Sequence, residues 1–209
     1  MSDFSSRDPW VYLASQSPRR QALLTQIGVP FEVLALDKGA IAEVPRSGEV
    51  PLAYVRRMAR AKAMIGMRQS RQRRLAARAV LGADTEVVLA SRVFGKPRDR
   101  EDAAAMLRAL SGKTHEVISA VALCPLVQKG NMVEVMDCVV VSRVTFKTLR
   151  DEEIGRYLDS GEPFGKAGAY AIQGRASAFV THLDGSYSGV VGLPLFETAQ
   201  LLRHLGFCT

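Results

Sequence analysis

Apolar and polar positions along this chain switch between a helical and an extended period, and the switches outline its elements. Residues 11–14 form a short apolar run, followed by Ser17, Pro18, Arg19 and Arg20 and then by Leu23, Leu24 and Ile27 at helical spacing. A serine at the N-cap with a proline at the first helical position starts helices, so a strand feeding a helix is predicted. Residues 31–36 read as a second strand. From about Pro51 to Met67, the residues Tyr54, Val55, Met58, Ala59 and Lys62 recur at helical spacing, giving an apolar stripe with arginines beside it. Residues 79–81 and 86–93 are β-like runs on either side of Gly82-Ala83-Asp84-Thr85, which puts that short polar segment at a strand margin. Beyond Gly95-Lys96-Pro97 a helix is predicted, capped by Asp99 and with Glu101 and Asp102 in its first turn.

Residues 114–123 and 133–147 are long, β-branched and partly alternating, as paired strands of an extended sheet are. A short helix is expected over 151–158. The stretch 161–174, broken by Gly161, Gly165, Gly168 and Gly174, reads as too polar for a core element. Residues 178–183 and 187–191 flank Asp184-Gly185 in the pattern of a hairpin turn. The last helix starts near Pro194 and turns Leu195, Thr198, Ala199, Leu202 and Leu205 inward, with Gly206 just past its end. There is no internal repeat, low-complexity tract or Pro/Ser-rich linker. The expectation is a single α/β unit of mixed strand order over 10–209, preceded by a flexible N-terminal extension over 1–9. Two lobes are compatible with this pattern; independent domains are not.

Composition narrows the partners more than the fold. At 209 residues, with 47% apolar and 23% charged, the chain has the makeup of a folded globular protein and not of a disordered one. The balance of 28 basic against 21 acidic residues gives a net charge of +7, which points to an anionic partner: a nucleotide, a nucleic acid or a membrane surface. No apolar stretch is long enough to span a bilayer and no signal-peptide pattern leads the chain, so a cytoplasmic location without membrane contact is expected. Cys124, Cys138 and Cys208 are widely spaced and form no C-x-x-C pair, the pattern of buried or idle thiols. His115, His182 and His204 are far apart, so a histidine metal site would need assembly by tertiary folding alone.

The segment Ser15-Gln16-Ser17-Pro18-Arg19-Arg20 brings hydroxyls, guanidiniums and free backbone N–H groups to a helix N-terminus, which suits phosphate oxygens. A capped helix with solvated arginines is the plainer reading. Asp84 would sit where a strand ends, a common place for a group that binds metal or polarises water, although an Asp before a Thr is also an ordinary turn cap. Glu86 would share the face of Asp84 if the chain stays extended, or be a surface charge. Lys62, Lys96, Lys166 and Gln173 each offer a polar head among small residues, and singly each lysine is more often a solvated charge. Neither a P-loop nor a G-x-G-x-x-G turn is present, so phosphate binding must come from side chains and a helix terminus. The run Arg68, Arg71, Arg73, Arg74 and Arg78 lacks interleaved aromatics, and a solvated surface is favoured over a nucleic-acid patch.

In this order, Leu13-Ala-Ser-Gln-Ser-Pro-Arg-Arg20, Ala59-x-x-Lys62-Ala63, Gly82-Ala-Asp-Thr85, Gly95-Lys-Pro97, Leu110-Ser-Gly-Lys-Thr-His115, Lys166-Ala-Gly-Ala-Tyr-x-Ile-Gln-Gly174 and Val191-Gly-Leu-Pro194 resemble the Maf family of nucleoside triphosphate pyrophosphatases. The likeness runs from about residue 10 to 207. It implies an elongated mixed-sheet α/β fold similar to that of the inosine-triphosphatase-type pyrophosphatases, with two lobes around a central cleft. It also implies a divalent cation, Mg²⁺ or Mn²⁺, and release of pyrophosphate from a nucleoside triphosphate. The resemblance gives Asp84 the place of the catalytic proton acceptor, with Lys62 and Lys96 beside it in catalysis. Ser15, Arg19, Arg20, Thr85, Lys166 and Gln173 take substrate-binding places, and Asp84 with Glu43 the metal. Arg19, Thr85 and Gln173 match the branch acting on dTTP and UTP; the 7-methyl-GTP branch has glutamine and glutamate at the last two. The acidic pair usual before the Lys62 helix is reduced here, in Asp37-Lys-Gly-Ala-Ile-Ala-Glu43, to Glu43 at the expected distance. The family's association with septum formation leaves a regulatory reading without catalysis open, as well as a 7-methyl-GTP or inosine-type activity, and a homodimer is compatible with the resemblance.

Overall fold

A computed structural model describes residues 11–207, apart from 38, 76 and 127–133. The extension expected over 1–9, the start of the run at 133 and Cys208 lie outside the described residues. The chain runs β1 (Val11–Leu13), α1 (Pro18–Gln26), β2 (Phe31–Val33), α2 (Pro51–Gln72), β3 (Ala79–Leu89), β4 (Arg92–Phe94), α3 (Arg100–Leu110), β5 (Thr114–Pro125), β6 (Met136–Phe146), α4 (Asp151–Asp159), β7 (Val180–Asp184), α5 (Tyr187–Val191) and α6 (Leu195–Arg203), with 3₁₀ segments at Ala167–Ala169 and Arg175–Phe179. One mixed sheet of seven strands has the order β2-β1-β3-β5-β6-β7, with β4 paired to β3 off that path. The expected α/β class is the one the chain adopts.

Alternation along the long strands builds two cores, one on each face of this sheet. On β3 and β5, Leu81, Ala83, Val87, Val117, Val121 and Leu123 face a core completed by α1, α3, α4 and α6. Val80, Val88, Ile118, Ala120 and Ala122 face the opposite core, where α2 contributes Tyr54, Val55, Met58, Ala59 and Ala63. Thus α1 and α2, which follow β1 and β2, leave for opposite faces. In open α/β sheets a crevice forms outside the carboxyl ends of strands at such a point.

Four expectations are corrected. Gly82-Ala83-Asp84-Thr85 does not end a strand: β3 is continuous from Ala79 to Leu89 and pairs with β5 along its length. Gly82 serves a close approach instead of a turn, since a Cβ there would stand 2.4 Å from the Ala59 carbonyl oxygen and 2.5 Å from the Ala63 nitrogen of α2. The run 86–93 is broken by a two-residue turn at Ala90 and Ser91, with φ of 49° and 67°, the left-handed geometry that favours the twist of tight hairpins. Residues 187–191 are not the second arm of a hairpin but the helix α5, begun by Ser186, whose hydroxyl accepts from the Gly189 N–H at 3.0 Å. Finally, within 161–174 the residues from Gly168 to Ile172 are buried. Gly168, at φ 68°, lets this segment settle on β3, because a Cβ there would lie 2.9 Å from Val87.

α2 also runs past Met67 to Gln72. Arg68, Arg71, Arg73, Arg74 and Arg78 are exposed, in line with a solvated face. No described helix is long and apolar enough to cross a membrane.

His115 is 1% exposed, and its ring meets Phe146 and Tyr170 edge-on while Nε2 lies 2.9 Å from the Tyr170 hydroxyl. His182 and His204 are exposed. Burial pushes the His115 imidazole down to about 4 from its usual 6.5. The unfolded chain then binds more protons than the folded one between those values, so stability falls as pH drops through that window. Chemical denaturation should find the protein about 2 kcal/mol less stable at pH 5 than at pH 7 from this group alone. A His115→Asn variant should show a shallower slope, and an unchanged slope would assign the acid sensitivity elsewhere.

Candidate active site

β1 ends at Leu13, paired with Leu81, and the Ala14 N–H donates to the Leu81 carbonyl at 2.8 Å. β4 takes up the same side of β3 only at Val87. Residues 82–86 therefore have no strand partner on that side among the described residues. A cleft of about 570 Å³ opens there and wraps both faces of the bare edge. Its lining includes every position expected to serve the site: Ser15, Arg19, Arg20, Glu43, Lys62, Asp84, Thr85, Lys96, Lys166 and Gln173. Glu86 joins them, on the face of Asp84.

On the α2 face, the contact that Gly82 permits lays Lys62 across β3. Its Nζ donates to Asp84 Oδ1 at 2.7 Å and lies 2.8 Å from Glu43 Oε1, so one ammonium ties together the two carboxylates expected to hold metal. Asp84 is 8% exposed, and its Oδ2 is buried without a hydrogen-bond partner, as is Glu86 Oε2. Burial, and then the Asp84 carboxylate, push the Glu86 carboxyl up to about 7 against the pull of Lys62 and Lys96. Burial works the same way on Glu43, yet its hydrogen bond to Lys62 holds it below the ordinary carboxylate value. The loop that brings Glu43 here is strapped to α2 by Arg57, which holds both oxygens of Glu49 at 2.6 and 2.5 Å and the Val44 carbonyl at 3.1 Å. Lys96 is exposed at the rim and forms no ion pair among the described residues, which leaves its charge available.

At the start of α1, two adjacent arginines are oriented by the turn between α5 and α6. Arg20 Nε donates to the Gly192 carbonyl at 2.9 Å and Nη1 to Ser15 Oγ at 3.0 Å, while Arg19 Nε donates to the Val191 carbonyl at 3.3 Å. Each guanidinium keeps further N–H groups for an anion. Burial lowers the Arg20 pKa, and Asp84, Glu43 and Glu86 oppose the shift; arginine nonetheless stays charged. Five cations against three carboxylates line the cleft.

The opposite face adds an uncharged stretch, Val87, Val117, Tyr170, Ala171, Thr85 and Gln173, beside Arg19, Arg20 and Lys166. The Thr85 hydroxyl lies 3.0 Å from Ser119 Oγ and 3.3 Å from the Gly192 carbonyl. The Gln173 side chain is exposed in the cleft while its backbone is clamped on both sides. The Tyr157 hydroxyl accepts from the Ala171 N–H at 3.1 Å, and Glu162 accepts from the Tyr157 hydroxyl at 2.8 Å and from the Arg175 N–H at 3.0 Å. Lys166 is held by the Glu162 and Phe164 carbonyls, and burial followed by repulsion from Arg19 lowers its pKa. Glu162 and Ser119 escaped the sequence reading: an acid in a glycine-rich loop and a serine in a strand bear no local mark of their partners.

Chemically this is a site for a polyanion with an uncharged head. Among the described residues no three His, Cys, Asp or Glu side chains gather closely enough to hold a metal alone. Hard carboxylate oxygens at Asp84 and Glu86 that lack partners, with Glu43 nearby, nevertheless fit a Mg²⁺-type ion, which takes one or two protein carboxylates and completes its shell with water and substrate phosphates.

The sequence profile of the family described as Maf-like protein matches residues 10–205. A dTTP/UTP pyrophosphatase of Dechloromonas aromatica (strain RCB) is 50% identical over 202 residues, covering 94% of this chain and 98% of that protein. A protein of the same name from Xanthomonas euvesicatoria pv. vesicatoria (strain 85-10) is 54% identical over 196 residues, 94% and 98% of the two chains. A nucleoside triphosphate pyrophosphatase of Xylella fastidiosa (strain 9a5c) is 55% identical over 192 residues, 92% and 96%. With nearly its whole length matched by the profile and by relatives at half identity, this chain belongs to the Maf-like protein family.

Proposed function

We propose that the protein hydrolyses dTTP and UTP to the monophosphate and pyrophosphate, acting on free nucleotides in the cytoplasm with a divalent cation, Mg²⁺ or Mn²⁺. The observation behind this reading is that one cleft along the bare edge of β3 holds five cations together with an uncharged stretch that presents Thr85 and Gln173. A nucleoside triphosphate likewise joins a polyanion to an uncharged base, and the names of the relatives support the reading. Unit charges in contact interact by about 4 kcal/mol at an effective dielectric near 20, so a triphosphate needs this density of cations. Arg19, Arg20 and Lys96 bind the phosphates and steady the departing pyrophosphate, and Ser15 fixes the Arg20 fork. Lys62 holds Asp84 Oδ1, which turns Oδ2 toward the reacting water as proton acceptor. A cation held by two of the carboxylates, Asp84 with Glu43 or Glu86, would neutralise phosphate oxygens and lower the pKa of a bound water.

The amide of Gln173 offers a donor and an acceptor, which matches the N–H and carbonyl along the edge of uracil or thymine. A carboxylate there only accepts and favours a donor-rich edge, as in guanine. The test is kcat/KM for dTTP, UTP and 7-methyl-GTP on the wild type and on Gln173→Glu. The wild type should prefer the two pyrimidine nucleotides, and the variant should lose at least about tenfold of that preference. Preference of the wild type for 7-methyl-GTP would reject the pyrimidine reading, and an unchanged ratio in the variant would remove Gln173 from base recognition.

A further inference from the structure

We propose that Ser119 sets the base selectivity of the cleft, as a positioning residue that makes Thr85 an acceptor-only reader of the base edge. The inference rests on the nucleotide reading above and concerns a residue outside every motif that carried the resemblance. Ser119 lies on β5 directly opposite Thr85 of β3 and is 1% exposed. Its hydroxyl donates to the Gly189 carbonyl at 2.5 Å. A carbonyl oxygen only accepts, so the single Ser119 proton is committed. Thr85 has two partners, Ser119 Oγ at 3.0 Å and the Gly192 carbonyl at 3.3 Å, and neither has a proton to give back. Whichever it takes, the Thr85 proton points into the protein. Lone-pair density is then what Thr85 presents to the cleft it lines.

An acceptor on the wall complements a ring N–H and opposes a ring nitrogen lone pair. Uracil and thymine have an N–H between their two carbonyls, and cytosine has a lone pair at the same ring position. The rings are otherwise nearly the same size, so neither volume nor stacking separates them as hydrogen-bond polarity does. The Gly192 carbonyl that partners Thr85 also accepts from Arg20 Nε, so base reader and phosphate clamp hang on one turn, and the Ser119 bond to Gly189 holds α5 immediately before it.

The test is kcat/KM for UTP and CTP on the wild type, Ser119→Ala, Ser119→Cys and Ser119→Thr, with thermal midpoints measured alongside. Without Ser119 Oγ the Thr85 hydroxyl loses its nearer acceptor and keeps only the longer 3.3 Å contact to the Gly192 carbonyl, so its proton is held less firmly inward and can turn to donate into the cleft. The UTP:CTP ratio should fall at least about tenfold in the alanine variant, through poorer UTP and better CTP turnover, and should be kept by threonine, which retains a hydroxyl. Should alanine not fold, cysteine decides, because it fills nearly the same volume with a weak donor. Equal loss on both nucleotides would overturn the proposal and leave Ser119 a packing residue. A wild type that turns over UTP and CTP equally would also overturn it while leaving the pyrophosphatase intact, whereas one that releases pyrophosphate from neither would sink both readings.

Discussion

Asp84→Asn should lower kcat by at least about 10²-fold with the fold retained, the low end of what a positioned general base contributes. Asparagine preserves shape and can still meet Lys62 at the position of Oδ1, so little packing is lost around a side chain that is 8% exposed. What it removes is the charge and the lone pairs of Oδ2, the oxygen left without a partner in the buried wall of the cleft. No other carboxylate stands in that place: Glu43 enters from an exposed loop, and Glu86 is two residues further along β3. Steady-state rates with a thermal melt check this. A folded variant with near-normal turnover would take Asp84 out of the chemistry.

Lys62→Ala should reduce kcat/KM by about 10²-fold or more, with a loss of stability that Asp84→Asn does not show. The ammonium touches Asp84 and Glu43 at 2.7 and 2.8 Å, and its side chain is 13% exposed. Removing it leaves the two carboxylates facing one another without the cation that bonds both, with only the more distant Arg20 and Lys96 charges in compensation, and stripping one partner from a buried pair costs about 3–5 kcal/mol. The exposed half of Glu43 reduces that cost, since it can turn to water. Arg71→Ala, on the same helix but in the solvated arginine run, should change kcat/KM little. Equal small effects at both positions would make Lys62 a surface charge after all.

The contrast between these two residues marks what was legible in the sequence. Helix starts were readable because their signals are local: Pro18 opens α1 behind Ser17, although the Ser17 hydroxyl makes no capping bond, and Asp99 accepts from the Asp102 N–H at 2.7 Å as a cap should. The long strands β5 and β6 were readable for the same reason, through β-branched runs. The continuity of β3 was not, because Gly82 answers to the backbone of α2, far back in the chain, and a glycine needed for close approach looks like one needed for a turn. Nor was the Ala90-Ser91 turn, which takes left-handed φ without the Asn-Gly signature of such hairpins. α5 failed as well, since five residues rich in valine read as strand until Ser186 is seen to cap them.

The candidate site divides in the same way. Its membership was legible as a set of ordered motifs, and all ten expected residues line one cleft. Its geometry was not. That Lys62 bridges Asp84 and Glu43, that the Val191-Gly192 carbonyls orient Arg19 and Arg20, and that Glu162 and Tyr157 clamp the Gln173 segment are contacts across the chain that no local spacing encodes. Glu86 lies between these cases: the two-residue period of a strand put it on the face of Asp84, and only burial distinguishes it from a surface charge.

The central claim is that this cleft directs water to the α-phosphorus of a pyrimidine nucleoside triphosphate. Hydrolysis of dTTP or UTP in ¹⁸O-labelled water with Mg²⁺, followed by mass spectrometry of both products, tests it most directly. The account predicts one ¹⁸O in the nucleoside monophosphate and none in the pyrophosphate; label in the pyrophosphate, or orthophosphate as the first product, would contradict it.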